Sequence, residues 1–88
     1  MEKEEALRVC QQELQRMIRD TGVTPATLIN YGNMAEQAVR NPQMKKRLYE
    51  DALNRGVIDK SEFPQGLKVN DLAMFVVIGK LAQQMGGA

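Results

Sequence analysis

The spacing of apolar residues predicts helices along most of the chain. In the first twenty residues, apolar side chains recur every three or four positions at Leu7, Cys10, Leu14 and Met17. This spacing places them on one face of a helix, which we expect to span residues 2–20. No segment shows the sustained alternation of apolar and polar residues that marks a half-buried strand. The pattern therefore predicts an all-α protein.

Two proline-containing pairs predict where the next helices begin. Thr24-Pro25 and Asn41-Pro42 each place a good capping residue before a proline, which suits the first turn of a helix. We expect a helix over residues 25–40 and another from 42 to about 55. Gly32 leaves open whether the former is one helix or two, with a break after Tyr31. We therefore expect a compact bundle of four or five short helices that forms one domain over residues 1–88.

A proline and a glycine predict an ordered loop at about 57–69. Pro64 and Gly66 do not suit a regular helix, but Val57 and Ile58 are apolar, so we expect the loop to pack on the domain. The last helix is expected to begin at Asn70 as its cap, to run to about Met85, and to fray into Gly86-Gly87.

The final helix predicts an interface because its apolar residues occur on every side. A helix of that kind is normally buried all round, and a chain of 88 residues has little material with which to enclose one. Two alternatives remain open: the other helices wrap it, or a second copy or another protein covers part of it. The candidate interface residues are Met74, Phe75, Val77, Ile78, Leu81 and Met85.

Composition excludes several classes of function. The chain has no His and one Cys, so it lacks both the commonest acid–base group and a thiol–imidazole pair. No glycine-rich phosphate loop is present. We therefore expect no enzyme, no cofactor, no metal and no small-molecule substrate. The single Cys10, and a start (MEKEE) that is not a basic segment followed by an apolar one, favour a cytoplasmic protein without a membrane partner.

The segment Gly22-Val23-Thr24-Pro25-Ala26-Thr27-Leu28 resembles the turn and recognition-helix start of helix-turn-helix repressors of the lactose-repressor type. The resemblance implies a DNA-binding regulator that reads bases with residues of the second helix and holds phosphates with basic side chains. The nucleic-acid contacts it implies are Thr24, Thr27, Asn30, Arg40, Lys45, Lys46 and Arg47. The net charge of +1 does not provide the basic footprint usual for such domains.

Two functions therefore remain as hypotheses. The leading one is a small non-catalytic interaction module, an adaptor, inhibitor or regulator, that binds another protein and self-associates as a homodimer through the final helix. The abundance of Met, six residues, agrees with an adaptable binding surface. The alternative is a helix-turn-helix DNA-binding transcriptional regulator.

Overall fold

The structure is a computed structural model that describes residues 3–85. Within this range the chain forms four helices and no strand, in agreement with the predicted all-α bundle. The four helices are α1 (Lys3–Thr21), α2 (Pro25–Ala38), α3 (Pro42–Asn54) and α4 (Val69–Gln84). Residues 25–38 form one uninterrupted helix, so α2 is not divided into two helices at Gly32. The predicted first residue of α1, Glu2, and the fraying of Gly86-Gly87 lie outside the described residues.

The starts of α2 and α3 follow from local capping. The Thr24 side chain accepts a hydrogen bond from the backbone N–H of Thr27 at 3.2 Å. The Asn41 side chain accepts from the N–H groups of Gln43 and Met44 at 3.1 and 3.2 Å. These bonds satisfy helix N–H groups that have no partner within the helix. Both predicted starts are confirmed.

The start of α4 differs from the prediction. The helix begins at Val69, and Lys68 is its cap residue, so the prediction of Asn70 as the cap was wrong. The reason is the carboxylate of Asp71, which accepts a hydrogen bond from the backbone N–H of Lys68 at 2.7 Å. An acidic side chain three residues after the cap stabilises a helix start in this way even where the cap itself is not Asn or Ser.

The core draws side chains from all four helices and from the loop between α3 and α4. α2 lies in the middle, packed against α4 on one side and α3 on another, while α1 packs chiefly on α4. The Tyr31 and Phe75 rings meet edge to face, with centroids 6.0 Å apart. The largest fully buried side chains are Tyr31, Phe75, Met17, Leu28, Leu48, Leu72, Ile78 and Val57.

α2 and α4 approach each other most closely at a pair of glycines. A β-carbon added to Gly79 would lie 3.0 Å from the Cα of Gly32 and 3.2 Å from the carbonyl oxygen of Leu28. A β-carbon on Gly32 would lie 3.1 Å from the Cα of Gly79. This close approach of the two backbones explains why Gly32 occurs inside a helix despite its low propensity.

The first two turns of α1, residues 3–9, do not contribute to the core. Every residue from Lys3 to Val9 is exposed, whereas Cys10, Leu14 and Met17 are buried. Leu7 begins the same apolar stripe but stays 43% exposed. Over residues 3–85, no helix combines the length and the apolar character that crossing a membrane requires.

Candidate functional site

A surface cleft lies between α3 and the loop that follows it. One wall is a single face of α3, and the other is formed by loop residues close to Pro64. We name it the lysine cleft and define it by its lining residues, Lys45, Lys46, Tyr49, Glu50, Leu53, Lys60, Pro64, Gln65, Gly66 and Leu67. Its volume is about 560 Å³, which lies within the range of known ligand sites.

The end of α3 sets the direction in which the loop leaves the helix. Gly56 adopts a left-handed conformation with φ of 74°, and its N–H donates to the carbonyl of Leu53 at 3.0 Å. The N–H of Val57 donates to the carbonyl of Ala52 at 2.9 Å. This pair of bonds is the Schellman arrangement, which turns the chain back after a helix. The loop therefore returns along α3 instead of leaving it.

Three buried apolar side chains and two hydrogen bonds then hold the loop in place. Val57, Ile58 and Leu67 are buried, as the sequence predicted for an ordered loop. The Tyr49 hydroxyl, on α3, donates to the carbonyl oxygen of Phe63 in the loop. The guanidinium of Arg16, on α1, donates to the carbonyl of Val57 at 3.4 Å. The loop that forms the second wall of the cleft is therefore packed on the helices.

The charge in the cleft is predominantly positive. Lys45 is half-buried, while Lys46 and Lys60 are exposed. Within residues 3–85, none of these three lysines forms a salt bridge. Within the same range, Glu50 is the one acidic side chain that lines the cleft. Free ammonium groups around an apolar floor suit an anionic ligand that also carries an apolar group.

A smaller polar groove, of about 330 Å³, lies between α2 and α3. The Tyr31 hydroxyl donates to the Asp51 carboxylate at 2.5 Å, and the Arg55 guanidinium donates to the same oxygen at 3.0 Å. The hydrogen bond from Tyr31, followed by that from Arg55, lowers the pKa of Asp51. Burial, followed by the bond to Asp51, raises the pKa of Tyr31. This network ties α2 to α3, so its first role is structural.

The residues implied by the repressor resemblance do not form one surface. The hydroxyl of Thr24 is used as the cap of α2, and Thr27 is half-buried beside it at 3.1 Å. Asn30 is exposed and lines the α2–α3 groove together with Arg47. Lys45 and Lys46 face the lysine cleft instead. Arg40 is exposed where α2 ends.

The predicted interface on α4 requires a correction for two residues. Phe75 and Ile78 are completely buried against the chain's own helices, so they offer no surface to a partner and the prediction was wrong for them. Phe75 packs edge to face on Tyr31 of α2, and Gly32 and Gly79 let these two helices approach closely. Met74, Val77 and Leu81 are half-buried, and Met85 is 54% exposed.

Groups suited to covalent or metal chemistry are not brought together in the described part of the chain. The single thiol, Cys10, is buried, and burial followed by the charge of Glu13 raises its pKa, which keeps it protonated at neutral pH. Over residues 3–85, no group of three or more His, Cys, Asp or Glu side chains is placed to hold a metal ion.

Sequence reasoning missed half of the lysine cleft. It singled out Lys45 and Lys46 but not Lys60, because the loop brings Lys60 beside them from a distant position in the chain. The available signal was the pair of apolar residues at the two ends of the loop, Val57 and Leu67, which indicated that the loop folds back on the domain.

Comparisons of this chain with protein-family models, with curated proteins and with solved structures gave no match.

Proposed function

We propose that this chain is a small non-catalytic interaction module that binds a segment of another protein in the lysine cleft. The observation that carries the proposal is the cleft itself: the partly accessible side chains of Tyr49 and Leu53, above the buried Leu67, are lined by lysines from two separate elements. Apolar floors supply affinity by burial, and a few charged groups at the edge fix the orientation of the bound segment.

The architecture around the cleft supports this proposal. Elsewhere in the bundle, facing apolar surfaces close on each other, as α2 and α4 do at Gly32 and Gly79. At the cleft, the loop is held at a distance from α3 by its own anchors, so Leu53 and Tyr49 remain partly accessible. A surface that is rigid before binding loses little conformational entropy when a partner docks.

Site-specific photo-crosslinking tests the proposal. A benzophenone side chain replaces Gln65, an exposed residue of the cleft wall, and the control variant carries it at Gln12, exposed on α1. Each protein is irradiated in nuclease-treated lysate of the source cells. We expect protein adducts at position 65 that are absent at position 12 and that excess unlabelled chain abolishes. The same adducts at both positions, or no adduct at position 65, would overturn the proposal.

Self-association through α4 is a second part of the hypothesis, and the exposure of Met85 favours it. Met85 and the half-buried Met74, Val77 and Leu81 provide flexible apolar surface on the helix. Sedimentation velocity over a hundredfold range of concentration tests it. We expect the average mass to rise with concentration, and a Met85→Gln variant to rise less. A mass that stays at one chain throughout contradicts self-association.

DNA binding remains the alternative function, favoured by the exposure of Asn30 in the groove that also contains Arg47 and Arg55. An exposed Asn can read adenine, and the arginines can hold phosphates. Glu50 and Asp51 line the same groove and repel phosphate. A gel shift with random duplex DNA at low salt tests this alternative: it requires binding that weakens steeply with salt. No shift for the wild type rejects it.

A further inference from the structure

We infer that the lysine cleft selects an acidic peptide segment that also carries a large apolar side chain. This inference rests on the proposed function and names the chemistry of the partner. Three lysines and one glutamate line the cleft, although the whole chain carries a net charge of only +1. Positive charge is therefore concentrated here, and opposite charge on a partner both attracts it and fixes its position.

The acidic groups nearest in sequence do not neutralise these lysines. Asp59 and Glu62 flank Lys60 in the loop, but the Asp59 side chain accepts a hydrogen bond from the N–H of Ser61 at 3.1 Å. Glu62 lines a separate depression on the other side of Pro64. In the described structure, neither one forms a salt bridge with Lys60. The lysine charges remain available to carboxylates of a ligand.

The floor of the cleft favours a peptide over a nucleic acid. Tyr49, Leu53, Pro64 and Leu67 are apolar or largely so, and they line the same cleft as the lysines. Single-stranded nucleic acids are bound by stacking on aromatic rings, whereas this floor is mostly aliphatic and its one ring, Tyr49, is half-buried with its hydroxyl bonded to the loop. An aliphatic floor suits a Leu, Ile, Met or Phe side chain of a peptide.

Glu50 limits where the acidic residues of a bound peptide can lie in this site. It lines both the lysine cleft and the α2–α3 groove, so it stands on the ridge between them. Its carboxylate repels acidic residues from that edge and directs them toward Lys45, Lys46 and Lys60. Replacing Glu50 with Gln removes this repulsion and keeps the side chain's size. We expect acidic peptides to bind Glu50→Gln about threefold more tightly than the wild type.

Selection from a library of random twelve-residue peptides displayed on phage tests the inference. The immobilised full chain is compared with a triple charge reversal, Lys45→Glu, Lys46→Glu and Lys60→Glu, and with the triple Gln variant in case the reversal does not fold. Circular dichroism verifies folding. The wild type should enrich peptides that combine Asp or Glu with a large apolar residue. The reversal should select Lys- or Arg-containing peptides, and the Gln variant should lose the acidic preference.

The outcomes separate the inference from the proposed function. A Gln65→Trp variant partly fills the cleft and identifies peptides that bind there. If the peptides that bind the wild type but not this variant are not acidic, the inference is overturned and the proposed function stands. If no selected peptide depends on the cleft, both fail. If a twelve-nucleotide oligo(dT) displaces the acidic peptides at equal concentration, the cleft binds polyanions in general, and the inference is overturned.

Discussion

Two contacts between elements of this bundle differ in how closely they approach. Where α2 crosses α4, the backbones meet at Gly32 and Gly79, and no side chain separates them. Where the loop passes α3, the two elements leave a cleft of about 560 Å³ that Tyr49, Leu53 and the lysines line. The first contact is closed, and the second is open although the loop is anchored by hydrogen bonds and buried side chains.

The difference separates residues that we expect to matter for stability from residues that we propose to contact a partner. The closed contact excludes water from Tyr31 and Phe75, which are among the largest buried side chains. The open contact keeps charged and apolar groups accessible at a position that the loop's anchors define. Substitutions at the crossing should therefore change the free energy of unfolding, while substitutions at the cleft rim should not.

The largest effect is expected from adding a methyl group at the crossing. Ala at position 79 would place its β-carbon 3.0 Å from backbone atoms of α2, which cannot move aside as a side chain does. We expect Gly79→Ala to lower the free energy of unfolding by about 1–3 kcal/mol, although Ala is the better helix former. Urea unfolding measures this change. Asn33→Ala, at an exposed site of α2, is the control and should be neutral or stabilising.

A smaller effect is expected at the bond between α2 and α3. Tyr31→Phe removes the hydroxyl that donates to Asp51 and should cost about 1 kcal/mol at neutral pH, because Asp51 keeps its bond to Arg55. Since Tyr31 lowers the pKa of Asp51, the stabilisation exists above the pKa of Asp in the unfolded chain. It is lost as the pH falls through the lowered folded-state value. The stability difference between variant and wild type should therefore narrow on acidification, as urea titrations at several pH values would show. A constant difference contradicts this assignment.

A third substitution tests whether the loop is held locally. Tyr49→Phe removes the hydrogen bond to the Phe63 carbonyl, and we expect at most about 1 kcal/mol of global destabilisation. The change should be concentrated in the loop, so amide hydrogen exchange of residues 57–68 should accelerate while that of α2 and α4 stays slow. Equal acceleration in all these regions would mean that the loop and the core open together.

The smallest effect on stability is expected at the cleft rim. Lys46→Gln and Lys60→Gln remove exposed charges that form no salt bridge in the described structure, so each should change the free energy of unfolding by less than about 0.5 kcal/mol. Their expected effect is on binding of acidic peptides instead. A large loss of stability in either variant would mean that the cleft rim also stabilises the fold.

The sequence predicted the features that depend on neighbouring residues. The starts of α2 and α3 were predicted correctly because Thr24 and Asn41 cap their own helices. The start of α4 was misplaced because Asn70 is the better cap by residue type, whereas the bond between Asp71 and the Lys68 N–H determines the boundary. Both possibilities are local, and propensity alone does not choose between them.

Features that depend on distant segments were predicted incompletely. The apolar character of α4 was evident, but which of its residues are buried depends on the glycine in α2 that allows close contact. The lysine cleft depends on the path of the loop, which places Lys60 beside α3. Hydrophobic periodicity identifies one face of one helix at a time, so it does not show which faces meet.

The exposed first two turns of α1 affect how unfolding should be followed. Residues 3–9 are helical without burying their side chains, so their structure is propagated from the packed turns that follow. Heating should therefore melt these turns before the rest of the bundle. A thermal transition followed by far-ultraviolet circular dichroism would begin at lower temperature than one followed by the fluorescence of Tyr31 and Tyr49. Such curves would not describe a single two-state process.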